Sequence, residues 1–216
     1  EFSEFQLIFR LGLELRTCGL YYVRFNNIPG VLHLYLPYFP WGLIFAFLIW
    51  LEDRGPIFYL QDRVGRDGKI FKSIKFRSMI PKAEENLGPI QAQKDDPRDT
   101  KIGRLMRKAA MDELPQLINI LKGEMSFVGP RALRPVEIEL NNNSGVKSIF
   151  EIPGFKKRSS ITPGLTGTAQ VFASRNLSRE EKFKYDLWYI ENMSFWLDIK
   201  LIAKSILTTL KARWDI

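Results

Sequence analysis

Residues 111–117, Met-Asp-Glu-Leu-Pro-Gln-Leu, set Asp112 beside Glu113 in a chain whose formal charge is +8. Adjacent carboxylates repel, so something must absorb their charge. Asp112 can cap a helix opening at Glu113, accepting a hydrogen bond from the second or third helical N–H. The third residue is Pro115, which has no N–H, so Asp112 is less fully committed to capping. The positive end of the helix favours the ionised form. The other answer is chemical: an ionised carboxylate at a helix start can act as a nucleophile or bind a metal. With Glu113 it offers oxygen donors to Mg²⁺, which would relieve the repulsion and neutralise a phosphate. Arg104, Arg107 and Lys108 lie one or two turns upstream and could draw that phosphate in. Taken alone, Asp-Glu-Leu-Pro is usually just a cap, and both answers stay open.

Composition narrows the chemistry. His33 and Cys18 are the only residues of their kinds, so a His-ligated metal cluster, a Ser-His-Asp triad and an internal disulfide are not expected. A divalent metal would rest on oxygen ligands. A sequence pI near 9.6 favours anionic partners: lipid headgroups, phosphate-bearing substrates or nucleic acid. The opening EFSEFQLIFR predicts no cleavable signal peptide.

The elements that must position these residues follow from pattern. Residues 56–79 read as a hairpin turning at Asp67-Gly68. Residues 81–100 read as a polar loop, with Asp95, Asp96 and Asp99 as solvated turn residues. Thr100 is placed to cap a helix over KIGRLMRKA. A second helix follows from Asp112, with Leu114, Leu117, Ile118 and Leu121 on one face and Gly123 as its stop. Residues 125–131 read as a short strand entering a Gly-Pro turn, and 161–171 as a turn followed by a strand. Residues 140–148 read as an exposed loop. From Ser178 onward the pattern is helical. Trp188, Tyr189, Phe195, Trp196 and Trp214 stand among Lys184, Lys200, Lys204, Lys211 and Arg213, which suits either a membrane headgroup layer or a packed amphipathic helix.

Residues 31–51, VLHLYLPYFPWGLIFAFLIWL, approach the length of a transmembrane helix but carry Pro37 and Pro40. After Pro40 only about 17 Å of helix remains before Glu52, roughly half the hydrocarbon thickness. Basic residues stand on both sides: Arg10, Arg16 and Arg24 before, Arg54, Arg63, Arg66 and Lys69 after. Since Lys and Arg favour the cytoplasmic side, a helix that enters one leaflet and returns satisfies length, prolines and charge together, and is favoured over a spanning helix kinked at the prolines.

KFRSM (75–79), MDELPQLINILKGEMSFVGPR (111–131), PGLTGTAQV (163–171) and YDLWYIENMSFWLDIKLI (185–202) occur in this order. Together they closely resemble the bacterial sugar transferase family, the monotopic phosphoglycosyl transferases, over about residues 52–210. The resemblance implies an α+β fold: a small mixed catalytic domain (53–216) with amphipathic interfacial helices, and a re-entrant membrane helix (31–52). That helix would be hinged at Pro40, where the family commonly has Ser-Pro. Residues 1–30 form an N-terminal extension with a candidate interfacial helix. The implied reaction moves a sugar-1-phosphate from a UDP-sugar to polyprenol phosphate at the cytoplasmic face of the bacterial inner membrane. Asp112 would attack the β-phosphate, expel UMP and form an aspartyl phosphosugar that the lipid phosphate then attacks. Mg²⁺ would sit at Asp112 and Glu113. Lys75, Arg77, Arg107, Arg131 and Arg175 would line the phosphate site, beside membrane lipids and without nucleic acid. A carboxylate nucleophile needs no general base, which fits a chain with one His.

Some positions depart from the family pattern. Ala132 replaces a usual proline, Thr168 a usual aromatic, and VFASRN a commoner Asn-Gly form, changes that bear on nucleotide or sugar specificity. Asn27 stands where an Asp is common. Two other functions compete. A conventional glycosyltransferase would pass the sugar alone and release UDP, and the absence of an Asp-x-Asp motif disfavours it. A non-catalytic basic membrane-surface scaffold would give Asp112 no task.

Overall fold

The hairpin expected around Asp67-Gly68 frames the site. A computed structural model of the chain describes residues 39–81, 83, 96–135, 148–174 and 177–210. Strands β1 (Phe58–Val64) and β2 (Ile70–Phe76) pair antiparallel, with Tyr59 opposite Lys75 and Gln61 opposite Ser73. Asp67 (φ 56°) and Gly68 (φ 78°) both take the left-handed backbone that a mirror-image hairpin turn requires. Alternation then puts Gln61, Arg63, Ser73 and Lys75 on one face. The outer edge of β2 is covered by buried Asn119: its Oδ1 accepts from Ile74 N–H at 3.0 Å and its Nδ2 donates to the Lys72 carbonyl at 2.8 Å. A strand edge so covered cannot pair with another chain.

Helix α1 (Phe39–Asp53) is 15 residues long, about 22 Å. Ile49 is buried against Phe76 and Met106, while Trp41, Leu43, Ile44, Phe47, Trp50 and Leu51 are exposed. Among the described residues no helix is long and apolar enough to cross a membrane. Helix α2 (Lys101–Lys108) is capped as expected, with Thr100 Oγ1 accepting from Gly103 N–H at 2.9 Å. Glu52 of α1 adds a second cap, accepting from Lys101 N–H at 2.7 Å and Ile102 N–H at 3.3 Å. Gly103 lets α2 lie directly on the chain at Ser78; a Cβ there would collide with the Ser78 carbonyl.

The helix expected from Asp112 starts later. Met111–Glu113 is a single 3₁₀ turn, and α3 spans Gln116–Leu121 with Pro115 at its cap position. The cap positions of the turn and of α3 are Ala110 and Pro115, and neither element has a side-chain capping hydrogen bond. The late start and the Asn119 anchor set the helix phase, so Gln116, Leu117, Asn119 and Ile120 are buried while Leu121 is exposed. Gly123 ends the element at φ 76°.

β3 (Ser126–Val128) pairs with β4 (Gly164–Thr166) in parallel, Val128 opposite Thr166. A Cβ on Gly164 would collide with the Gly129 backbone, so only glycine permits this approach. The strand expected as far as Val171 stops at Thr166, and Thr168–Phe172 forms helix α5. The buried Thr168 hydroxyl donates to the Tyr185 carbonyl at 2.9 Å, which gives that departure a packing role. Helix α4 (Phe155–Arg158) precedes β4, and helices α6 (Arg179–Asn192) and α7 (Phe195–Leu210) complete the chain. Ser178 and Glu181 form a reciprocal capping box at the start of α6. Val128, Ala169, Tyr185, Tyr189, Leu197 and Leu201 make one core, against which Trp188 packs. Phe195 and Trp196 remain exposed, so the aromatic residues divide between core and surface.

The acids at 96 and 99 are not solvated turn residues. Buried Asp96 accepts from the Arg98 backbone and guanidinium, and Asp99 accepts from Arg107. The 1–30 extension, the first part of the 31–52 segment with His33 and Pro37, Asp95, the loop at 140–147, Lys211, Arg213 and Trp214 lie outside the described residues.

Asp198 in α7 accepts from the Tyr189 hydroxyl at 2.7 Å, yet burial pushes its pKa up to about 6. A raised folded pKa favours the protonated acid. Its stabilisation is full below about pH 4 and is lost as pH rises through about 6, a swing of about 3 kcal/mol. Asp198→Asn is therefore expected to raise the melting temperature at pH 8 and leave it unchanged at pH 4. A lower melting temperature at pH 8 would refute this.

Candidate active site

The chain leaves α2 through Ala110, held at φ 51°. Left-handed backbone costs a non-glycine residue about 1–2 kcal/mol. It delivers the Met111–Glu113 turn against β2. There Glu113 Oε1 accepts from Lys75 Nζ at 2.7 Å and from Arg131 Nη2 at 3.0 Å. The Lys75 and Glu113 side chains are only 15% and 17% exposed, so this pair is shielded from solvent. Arg131 follows β3 and reaches the cluster through the turn after Gly129-Pro130; it also forms a bridge to Gly164.

The two carboxylates differ. Burial alone would push Glu113 up, but Lys75, Arg131 and Arg63 outweigh it and hold the carboxyl well below its usual range. Asp112 is shifted upward. Burial and the charge of Glu113 raise it, against Lys75, Arg107 and Arg131. Burial also lowers Lys75, against the pull of Glu113 and Asp112. Among the described residues the Asp112 carboxylate accepts no hydrogen bond. One carboxylate is clamped by two cations; its neighbour is held in a cationic field with its oxygens uncommitted.

A family model described as bacterial sugar transferase matches residues 21–212, and those residues contain the whole cluster. The chain belongs to the bacterial sugar transferase family. It is 35% identical over 225 residues to the UDP-galactose-lipid carrier transferase of Erwinia amylovora, covering 97% of this chain and 45% of that protein. It is 39% identical over 174 residues to UDP-N-acetylgalactosamine-undecaprenyl-phosphate N-acetylgalactosaminephosphotransferase of Aeromonas hydrophila, covering 79% of this chain and 39% of that protein. It is also 39% identical over 169 residues to the UDP-glucose:undecaprenyl-phosphate glucose-1-phosphate transferase of Klebsiella pneumoniae, covering 76% and 35%. The chain thus spans less than half the length of these three relatives.

In this bacterial sugar transferase the structure gathers Lys75, Asp112, Glu113 and Arg131. Arg107 acts on Asp112 through space, while its guanidinium donates to Asp99. Arg77 makes its bond elsewhere: it is buried and donates to Asp53 at the end of α1, packed under Gly55. Pro40 is the second residue of α1, where a missing N–H costs no helical bond. Arg175 lies outside the described residues. Sequence reading missed Arg63, buried on the Lys75 face and close enough to act on both Lys75 and Glu113. Its strand register relative to the Asp67-Gly68 turn was the signal for that placement.

Among the described residues no three His, Cys, Asp or Glu side chains gather to hold a metal. The pair Asp112 and Glu113 still fits Mg²⁺, which commonly takes one or two carboxylates and completes its shell with phosphate oxygens and water. Both cations bond Glu113 through Oε1. Oε2 and the Asp112 oxygens are the donors that remain.

Proposed function

We propose that this chain is a phosphoglycosyl transferase that moves a sugar-1-phosphate from a UDP-sugar to polyprenol phosphate. The uncommitted Asp112 carboxylate, beside a Glu113 clamped by Lys75 and Arg131, carries the reading. An Asp112 oxygen attacks the β-phosphorus, the bond to the bridging oxygen breaks, and UMP leaves with that electron pair. An oxygen of the lipid phosphate then attacks the same phosphorus, and the Asp112 carboxylate is released. Mg²⁺ held at Asp112 and Glu113 would supply charge neutralisation to the diphosphate. Phosphoryl transfer depends mostly on position and charge, which Lys75, Arg107 and Arg131 provide.

The exposed apolar surface of α1 supports a monotopic seat on the membrane. At about 22 Å the helix is shorter than the roughly 30 Å hydrocarbon layer. Basic residues on both sides of 31–51 favour a re-entrant course with both ends at the cytoplasmic face. The names of the relatives quoted above, each a lipid-carrier or undecaprenyl-phosphate transferase, support the acceptor class.

The test is incubation with labelled UDP-sugars and Mg²⁺ without lipid acceptor, followed by nucleotide analysis and peptide mass spectrometry. The expected result is UMP together with a sugar-phosphate adduct on residues 111–117. Accumulation of UDP would overturn the reading in favour of a glycosyltransferase that passes the sugar alone.

A further inference from the structure

Two buried guanidinium groups grip consecutive carbonyls of the turn that carries Arg131. Arg158 of α4 donates through Nη2 to the Arg131 carbonyl at 2.6 Å. Arg63 of β1 donates through Nη1 to the Ala132 carbonyl at 2.8 Å. Neither arginine faces solvent, at 6% and 9% exposed. Each is fixed in turn: Arg158 Nε donates to Asp186 Oδ2 at 2.8 Å and its guanidinium stacks over Phe183, while Arg63 also donates to Gln61. Asp186 lies in α6 and is 2% exposed. Nothing in the covalent chain locks residues 131 and 132, since neither has a ring to fix φ. Backbone bonds hold its flanks, Gly164 N–H to the Pro130 carbonyl at 2.9 Å and Val64 N–H to the Leu133 carbonyl at 2.8 Å, and the two arginines hold the carbonyls between them.

We infer that Arg158, with Asp186 behind it, and Arg63 are positioning residues that aim the Arg131 side chain at Glu113 and the donor phosphate. This rests on the proposed phosphate role of Arg131. The Arg131 side chain is 43% exposed, against 15% for Lys75 and 17% for Glu113, and so depends more than they do on a fixed backbone. The clamps draw on elements distant in sequence, β1 on one side and α4 with α6 on the other. Arg158 reaches Asp186 through Nε and the turn through Nη2, a fixed planar span that the compact ammonium of a lysine does not reproduce.

The test is a double-mutant cycle on the full chain, with kcat and KM for the UDP-sugar measured for Arg131→Ala, Arg158→Lys and the double variant. Thermal melts confirm that each is folded at the assay temperature. Arg158→Lys is expected to lose about tenfold to a hundredfold in kcat/KM, divided between kcat and KM as in Arg131→Ala. Adding Arg158→Lys to Arg131→Ala should then cost less than about twofold more. Should Arg158→Lys unfold, Arg63→Lys takes its place in the same cycle. Losses that multiply in the double variant would overturn the positioning role, as would full activity in the folded lysine variant while Arg131→Ala is impaired. An Arg131→Ala enzyme with unchanged kinetics would overturn the phosphate role of Arg131 and the positioning with it, but not UMP release or the adduct on Asp112.

Discussion

Asp112→Asn is expected to reduce turnover by at least about 10⁴-fold while the protein melts no lower than before. The amide has the shape of the carboxylate but lacks the charge with which the proposed nucleophile would attack phosphorus. Stability should move the other way. The folded environment raises the Asp112 pKa through burial and the Glu113 charge, so its ionised form is held at a cost near neutral pH. Removing that charge relieves a repulsion with no hydrogen bond lost among the described residues, and the melting temperature at pH 7.5 should rise. In the native enzyme kcat/KM should fall toward acid along a limb above the ordinary carboxylate pKa, because the proposed nucleophile would attack in its deprotonated form. An amide variant with native turnover would end the proposal.

Glu113→Gln should fail in the opposite way, losing activity and stability together. Glu113 has its pKa depressed, so its stabilising contribution is present at neutral pH and is lost as acid protonates it. Without its charge, Lys75 is left in a shielded position with its main counter-charge gone, a change that typically costs about 3–5 kcal/mol. Turnover should drop by about a hundredfold or more, from release of Lys75 and Arg131 and from loss of the proposed Mg²⁺ donor. Chemical denaturation at pH 7.5 and pH 3 gives the check: the deficit relative to the native chain should shrink at the lower pH. A deficit independent of pH would contradict the assigned ion pair. Two neighbouring carboxylates are thus expected to respond to amidation with opposite signs in stability.

Local features were legible in the sequence. Asp67-Gly68 specified a turn, Thr100 a cap, and Ser178 the start of a helix, because each rests on backbone chemistry within a few residues. What depends on distant partners was not legible. Asp112 looked like a cap because Leu114 and Leu117 suggested an earlier helix start; the 3₁₀ turn and the Asn119 anchor to β2 set a different phase. Asp96 and Asp99 looked solvated because their partners Arg98 and Arg107 are not marked as such by spacing. Arg77 was grouped with Lys75 by its place in KFR, yet tertiary packing spends it on Asp53. Glu113 was named from its place beside Asp112, and Lys75 and Arg131 from motif resemblance, but the contact that unites them joins positions far apart in the chain.

The acidic end of α1 has a mechanical consequence. Glu52 completes the first turn of α2, whose far end delivers Asp112, and Asp53 holds Arg77 just beyond the strand that carries Lys75. The aromatic helix therefore cannot tilt without uncapping one neighbour or tugging the other. Its position fixes that of the Asp112 carboxylate as a rigid strut would, rather than leaving it to a slack tether.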